Sequence, residues 1–216
     1  MIILIGGEKG GTGKTTLATN LAAMRVAQEG DLLLVDTDKQ ASASAWAATR
    51  ESKHQEVIRR VSTVQVFGKT VAAEIRDLSK RYQDVLIDAG GRDSIELRAA
   101  MTVAELLVIP IQASQFDVWT LGAMDTLVSQ VQAFNELLQV RVILNRASTN
   151  PSVSEAAEAA EVMADFEHLQ LMNTVVHDRI AYRKAAKSGL SVAELQPKEQ
   201  KAFQEMMHFY EELFSG

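Results

Sequence analysis

Runs of consecutive apolar residues recur along the chain, and amphipathic stretches separate them. The clearest runs cover residues 2–5, 32–35, 85–87 and 106–111, and none of them alternates with polar positions. Runs without alternation are typical of strands that are buried on both faces of a parallel sheet. Between several of them, apolar residues recur three and four positions apart, which predicts helices. Pro110 should mark the point where its strand leaves the sheet.

Further elements extend the same alternation towards the C-terminus. The pattern predicts shorter strands at 64–67, 140–146 and 171–176, and helices that include 41–51, 70–82, 94–104, 119–138 and 198–214. In the helix over 119–138 we expect Phe134 to belong to the buried stripe. Strands that alternate with helices predict an α/β fold, with a mainly parallel, twisted sheet and helices on both faces. We expect one such domain over residues 1–216.

Composition narrows the class of protein. The 216 residues are 47% apolar and 23% charged, as in ordinary globular domains. The absence of cysteine excludes disulfides, a cysteine-ligated zinc site and an iron–sulfur cluster, and fits a reducing compartment. No apolar run approaches the ~20 residues that span a bilayer, and the first strand starts without a signal peptide, so we expect a cytoplasmic protein. With a net charge of −6, any contact with nucleic acid requires a local basic patch.

A glycine-rich loop, GGEKGGTGKTT, joins the first strand to the first helix over residues 6–16. Glycines allow the backbone to curl so that several N–H groups point at one anion, and the helix adds its positive end. This predicts a P-loop in which Lys14 reaches the β- and γ-phosphates of a nucleotide and the Thr15 hydroxyl binds Mg²⁺. The alternative is a strand-to-helix turn that binds nothing. The predicted nucleotide-binding residues of the loop are Gly10, Gly11, Thr12, Gly13, Lys14, Thr15 and Thr16.

Carboxylates follow two of the buried strands. Asp36 and Asp38 stand at the end of the second run, and Asp88 ends the run at 85–87. Open α/β sheets bind ligands at the carboxyl ends of their strands. Beside a P-loop, Asp88 is therefore a candidate for the Mg²⁺ shell. Of Asp36 and Asp38, one can hold the Mg²⁺ shell while the other orients or deprotonates water. The alternatives are an acidic strand end that faces solvent and a buried aspartate without a metal.

These motifs together resemble the ParA/MinD family of P-loop ATPases, and the resemblance covers nearly the whole chain. The usual first glycine of the P-loop is replaced by Glu8, and the loop carries a second lysine, Lys9, as in the family's deviant Walker A motif. The resemblance implies that Lys9 crosses a dimer interface to the partner's nucleotide. It also implies that Asp38 acts on the attacking water, although Lys39 replaces the proline of the family's Asp-x-Asp-Pro-Gln motif.

Two further candidate binding sites lie in the C-terminal third of the chain. Asn145 ends a predicted strand, and the resemblance implies that it contacts the adenine base, although it is equally suited to a turn. A basic segment follows the last strand, and Arg183 and Lys187 share a helix face within it. Such a cluster suits the phosphate backbone of DNA, while a helix face exposed to water is the alternative. The predicted DNA-binding residues are Arg179, Arg183, Lys184 and Lys187.

The resemblance implies an ATPase of the small ParA type that uses ATP and Mg²⁺ and forms a homodimer with ATP. Its implied partners are nonspecific DNA and a ParB-like activating protein, and its cargo is a plasmid or another large cell component. The resemblance further implies that the protein is associated with the nucleoid of a bacterium or archaeon. One rival is a MinD-like membrane ATPase, against which the acidic polar face of the last helix argues. The other is a biosynthetic enzyme of the dethiobiotin synthetase type.

Overall fold

The computed structural model describes residues 1–54, 56–112, 118–150 and 155–214. The strands are β1 (Ile2–Ile5), β2 (Leu32–Asp36), β3 (Ser62–Gln65), β4 (Asp84–Asp88), β5 (Leu106–Ile111), β6 (Gln139–Ala147) and β7 (Gln170–His177). The helices are α1 (Lys14–Ala27), α2 (Ser42–His54), α3 (Val71–Leu78), α4 (Ile95–Met101), α5 (Val118–Gln132), α6 (Glu155–Met163), α7 (Ile180–Ser188) and α8 (Gln200–Phe214). A 3-10 turn covers Gly68–Thr70.

The strands form one sheet in the order β3-β2-β4-β1-β5-β6-β7, and the neighbouring strands pair in parallel. Ile5 pairs with Asp88 across β1 and β4, and Asp36 pairs with Asp88 across β2 and β4. The ends of these strands therefore lie level at one edge of the sheet, where the glycine-rich loop also begins. The predicted α/β fold with a parallel sheet is confirmed.

Helices cover both faces of the sheet, because the central strands send successive side chains to opposite sides. In β1, Ile3 and Ile5 join the core beneath α1, α2, α7 and α8. Ile2 and Leu4 join the second core, beneath α3, α4 and α5. The strands β1, β2, β4 and β5 thus bury both of their faces, which explains why their sequences are apolar without alternation.

Helix α8 also protects the outer edge of the sheet. The Glu212 carboxylate accepts hydrogen bonds from the backbone N–H groups of Asn173 and Thr174, and Glu205 accepts one from His177 N–H. These donors lie on β7, which stands last in the order of the described strands. Since an open strand edge can pair with other chains, carboxylates that occupy its donors stabilise the monomeric sheet. The prediction that the last helix packs against the domain is confirmed.

Two predictions about element ends were wrong. Helix α5 ends at Gln132, and Phe134 is 88% exposed instead of buried. The chain turns there because Asn135 Nδ2 donates to the carbonyls of Met101 and Ala104, which fixes the turn against the α4–β5 connection. Pro110 does not end its strand, since it pairs in register with Ile143 of β6. Among the described helices, none is long and apolar enough to span a membrane.

Candidate active site

A cleft of about 400 Å³ opens at the carboxyl ends of the strands. One wall is the glycine-rich loop with the start of α1, and the base carries residues that follow β2 and β4. The opposite wall comes from the ends of β6 and β7 and from α7. The lining residues are Gly10, Gly11, Gly13, Lys14, Thr15, Thr16, Asp38, Ala89, Gly91, Asn145, Arg146, His177, Asp178, Arg179, Tyr182, Arg183 and Ala186.

The loop presents the start of α1 to this cleft. Gly13 precedes the helix with φ 90°, in the left-handed region that favours glycine, and a Cβ there would collide with the Asn145 amide. In the part of the chain that the structure describes, no side chain caps α1, and the first turn of this helix contains no acidic residue. The first N–H groups of a helix have no partner within the helix and carry the positive end of its dipole. This end is therefore suited to bind phosphate.

Three side chains hold the carbonyl groups of the loop. Asn145 Nδ2 donates to Thr12 O at 2.6 Å, and both Gln112 and Arg146 donate to Gly11 O, at 2.9 and 2.8 Å. The structure thus places Asn145 at the cleft, and its contact with the adenine base stays a prediction. Gln112 and Arg146 were not predicted. Both stand at or just after the carboxyl end of a strand, and this position could have indicated from the sequence that they belong to the site.

Lys14 is buried, and its ammonium group donates to Lys9 O at 2.6 Å. Burial lowers the pKa of Lys14, while the nearby carboxylates of Asp88 and Asp38 act in the opposite direction. The side chain therefore lies inside the cleft with negative charge beside it. Lys9 is half-buried and lines a neighbouring depression with Gly7, Glu8 and Thr12, and it is not among the residues that line the cleft.

Asp88 and Thr15 form the part of the site that fits a cation. The Thr15 hydroxyl donates to Asp88 Oδ2 at 2.7 Å, whereas the buried Oδ1 has no hydrogen-bond partner among the described residues. Burial raises the pKa of Asp88 to about 7; the hydrogen bond from Thr15 lowers it and the charge of Asp36 raises it. A buried carboxylate oxygen without a partner, next to a hydroxyl group, fits Mg²⁺, which prefers oxygen ligands and keeps several waters.

The two aspartates after β2 have different surroundings. Asp36 is fully buried, and its Oδ1 accepts the Asp38 N–H while its Oδ2 accepts both the N–H and the hydroxyl of Ser44. Asp36 thereby ties the end of β2 to the start of α2. Asp38 is half-buried and lines the cleft, and its Oδ1 accepts the Gln40 N–H at 2.9 Å. A metal role for Asp36 stays a prediction.

The predicted DNA-binding residues differ in exposure: Arg183, Lys184 and Lys187 are exposed, whereas Arg179 is partly buried. Arg179 is 22% exposed and ion-paired with Glu205, and Arg183 lies at the cleft, 3.1 Å from Asp178. A DNA contact by Arg179 stays a prediction that would require this ion pair to open. Lys184 and Lys187 are exposed on α7.

The parallel sheet, the glycine loop before α1 and the Thr15–Asp88 pair define a P-loop nucleotide-binding protein. Over residues 3–192 the chain matches the family described as the CobQ/CobB/MinD/ParA nucleotide binding domain. The chain belongs to this family, which confirms the resemblance to ParA and MinD. It is an ATPase, and it uses ATP and Mg²⁺.

Named relatives cover most of the chain. It is 30% identical over 192 residues to the maintenance of carboxysome distribution protein A of Gloeobacter kilaueensis. This alignment covers 88% of the present chain and 83% of that protein. The chain is 25% identical over 220 residues to the chromosome-partitioning ATPase Soj of Thermus thermophilus, covering 90% and 88%. Its fold is similar to that of the cell division ATPase MinD of Pyrococcus furiosus, with a TM-score of 0.75 at 19% identity over 99% and 98% of the two chains.

Proposed function

We propose that the protein is an ATP-dependent switch that positions a large cargo on DNA. With ATP it forms a homodimer that binds DNA without sequence preference, and hydrolysis, accelerated by a ParB-like partner protein, ends that state. The observation that carries the proposal is the cleft in which Lys14, the Thr15–Asp88 pair and Asp38 converge. In this cleft a bound nucleotide would meet positive charge, a cation site and a carboxylate.

Each group has a role that follows from its surroundings. The N–H groups of residues 10–16 and the Lys14 ammonium would bind the phosphates, because both present positive charge to the same space. Thr15 and Asp88 would hold Mg²⁺, which neutralises the charge of the phosphates when bound. Asp36, which pairs with Asp88 across β2 and β4, would contribute to the Mg²⁺ shell beside it. Such catalysis consists mostly of positioning and charge stabilisation.

Asp38 would orient the attacking water. Its carboxylate lines the cleft, and a carboxylate within hydrogen-bond reach can accept a proton from water. Lys9 would contact the phosphates bound by the partner subunit. Lys9 does not belong to the residues that line the cleft, which supports this role, since a lysine that served its own nucleotide would be expected to line that cleft.

DNA contact would come from α7. Lys184 and Lys187 are exposed on this helix, and Lys187 stands beside a groove between α1 and α2. A net charge of −6 makes a local basic surface necessary for this contact. Two monomers would double the number of lysines facing one duplex, so DNA affinity should depend on dimerisation.

The names of the relatives suggest the class of cargo. One is named for carboxysome distribution and another for chromosome partitioning, so both refer to the placement of a large object. A plasmid or another large cell component is the corresponding cargo here. Nonspecific DNA binding would then locate the protein on the nucleoid of a bacterium or archaeon.

The test is binding to random duplex DNA with ATP and Mg²⁺, with ADP, and without nucleotide. Wild type should bind with ATP only. Lys9→Ala should lose this binding, and Lys184→Ala combined with Lys187→Ala should weaken it while leaving the ATP-dependent dimer intact. The matched control is Lys80→Ala, which removes an exposed lysine after α3. DNA binding that is absent or independent of nucleotide would contradict the proposal. Liposome sedimentation would then test the membrane alternative, and metabolite-dependent ADP release would test the biosynthetic one.

A further inference from the structure

One carboxylate of α8 holds three side chains of the cleft wall. Glu205 Oε1 lies 2.7 Å from His177 Nδ1 and 2.6 Å from Arg179 Nη2. Arg179 Nε donates to both Glu205 oxygens, at 2.9 and 3.1 Å. The Tyr182 hydroxyl lies 3.3 Å from Glu205 Oε2 and 3.1 Å from Ala202 O, and can donate its proton to either. All three residues line the cleft, whereas Glu205 does not.

The cluster is largely shielded from solvent. The side chains of Glu205 and Arg179 are 13% and 22% exposed, and Tyr182 is 6% exposed. The hydrogen bond to Glu205 raises the pKa of Arg179, and burial followed by the charge of Glu205 raises the pKa of Tyr182. Both groups therefore keep their protons and remain donors to the carboxylate. Charge-assisted hydrogen bonds of this kind fix geometry more strongly than neutral ones.

We propose that Glu205 is a positioning residue that sets nucleotide affinity by fixing the wall formed by His177, Arg179 and Tyr182. The proposal rests on the proposed placement of the nucleotide in this cleft. A wall that is ordered before binding does not have to be ordered by the nucleotide. Immobilising one flexible side chain costs a factor of about two to about ten in affinity. Glu205 would remove this cost for the long side chain of Arg179 in particular.

The charge of Glu205 matters as well as its reach. Without it, Arg179 would be left with an unpaired guanidinium inside the wall, free to reorient towards solvent or into the cleft. Either movement changes the surface that meets the nucleotide. In the wild-type protein, Arg179 is held by two nitrogens against a single carboxylate, a geometry that leaves it little rotational freedom.

The same helix provides a matched control. Glu212 stands two turns after Glu205 and also accepts hydrogen bonds from β7, at Asn173 N–H, Thr174 N–H and the Thr174 hydroxyl, the last at 2.6 Å. None of these partners lines the cleft. Loss of either carboxylate should therefore disturb the packing of α8 on β7, but only the loss of Glu205 should disturb the wall.

The experiment compares wild type, Glu205→Gln, Glu205→Asp and Glu212→Gln. A fluorescent ATP analogue is titrated with Mg²⁺, and KM, kcat and Tm are measured on the same preparations. We expect Glu205→Gln to raise the Kd and the KM by about tenfold with kcat little changed. Glu205→Asp, which keeps the charge, should show a smaller rise. Glu212→Gln should lower Tm by a similar amount with an unchanged Kd.

Equal Kd values for wild type and Glu205→Gln would overturn the proposal. An equal rise of Kd in Glu205→Gln and Glu212→Gln would also overturn it, because it would indicate a general loss of structure.

If Glu205→Gln does not fold, the Kd of Glu205→Asp tests the proposal instead. An unchanged Kd with a lowered Tm in this variant would mean that Glu205 has a purely structural role. The wild-type titration separates this proposal from the proposed function. A wild type that binds the analogue, with variants that bind it equally well, overturns only the role of Glu205.

Discussion

Gly91 lies against Gly10 so closely that a side chain would collide with the phosphate-binding loop. A Cβ at Gly91 would stand 2.6 Å from Gly10 Cα and 3.1 Å from Lys9 O. At the preceding residue, Gly90, a Cβ would stand 3.5 Å from Asp38 Cγ, an ordinary contact. The segment that follows β4 therefore touches the backbone that carries Lys9 and also approaches Asp38.

This contact predicts unequal effects of two neighbouring substitutions. Gly91→Ala should displace the backbone of Lys9 and Gly10, and we expect ATP hydrolysis to fall by about tenfold or more, because small displacements of catalytic groups are costly. Gly90→Ala introduces the same methyl group without a backbone collision and should keep most of the activity. Steady-state ATPase assays measure both. Equal activities for the two variants would show that the loop accommodates a side chain at Gly91 without loss of activity.

Lys14→Ala should remove nucleotide binding and turnover together, since the buried ammonium lies where phosphate charge must be neutralised. Parallel measurements of ATP-analogue binding and of phosphate release test this expectation. Lys80→Ala, on the surface after α3, serves as the control and should leave both quantities unchanged. ATPase activity that survives in Lys14→Ala would exclude the whole P-loop scheme.

Asp38→Asn should separate binding from chemistry. The substitution keeps the shape of the side chain but removes the basic oxygen, so we expect turnover to fall by about 10²-fold to 10⁴-fold. The affinity for ATP should change little, because the phosphate-binding groups lie elsewhere in the cleft. Single-turnover hydrolysis and a binding titration give the two values. A loss of affinity as large as the loss of rate would assign Asp38 to binding instead.

The raised pKa of Asp88 predicts a pH dependence of stability without nucleotide or divalent cations. Its pKa is about 7 in the folded protein against 3.8 in the unfolded chain. Between these values the folded state retains a proton that the unfolded state has lost, so stability falls as the pH rises and the full penalty is present above about pH 7. The shift corresponds to about 4 kcal/mol at most.

Asp88→Asn avoids this penalty because an amide does not ionise. The difference in free energy of unfolding between Asp88→Asn and wild type should increase from about pH 4 to about pH 7 and then level off. Urea denaturation across this range measures it. Asp77→Asn, at an exposed position on α3, is the control and should show no such trend. A constant difference for Asp88→Asn would mean that Asp88 is already ionised in acid.

Replacement of Arg50, which does not line the cleft, should strongly lower the free energy of unfolding. Its side chain is 2% exposed, and it pairs with Glu194 through two hydrogen bonds of 2.9 and 2.6 Å while also donating to Arg59 O and Gly189 O. Arg50→Met should cost about 3–5 kcal/mol, because Glu194 is left without its partner. The exposed pair Arg59–Glu29 is the control, and Arg59→Ala should cost less than about 1 kcal/mol. Chemical denaturation distinguishes the two.

The local pattern predicted the elements that one stretch of chain specifies by itself. Consecutive apolar residues at 2–5 and 85–87 mark strands buried on both faces, and these strands form where expected. The glycine loop with Lys14 and Thr15 is recognisable from neighbouring residues alone, and it joins β1 to α1 as predicted. Phe134 was misplaced because the end of α5 is set by Asn135, whose partners lie about thirty residues earlier on the α4–β5 connection.

The cleft required contacts that no local pattern contains. Asp36 and Asp38 are two positions apart in the sequence, yet the fold turns one towards Ser44 and the other towards the cleft. The basic segment after β7 was a uniform run of charge, whereas the packing of α8 engages Arg179 and leaves Lys184 exposed.

The sequence by itself determined the class of fold and the chemistry of the phosphate-binding loop, because backbone periodicity and glycine conformation are properties of adjacent residues. The tertiary structure decided which charged residues line the cleft and which hold the scaffold. That decision depends on burial and on partners distant in the chain: Glu205 with Arg179, Asn145 with Thr12, and Gly91 with Gly10.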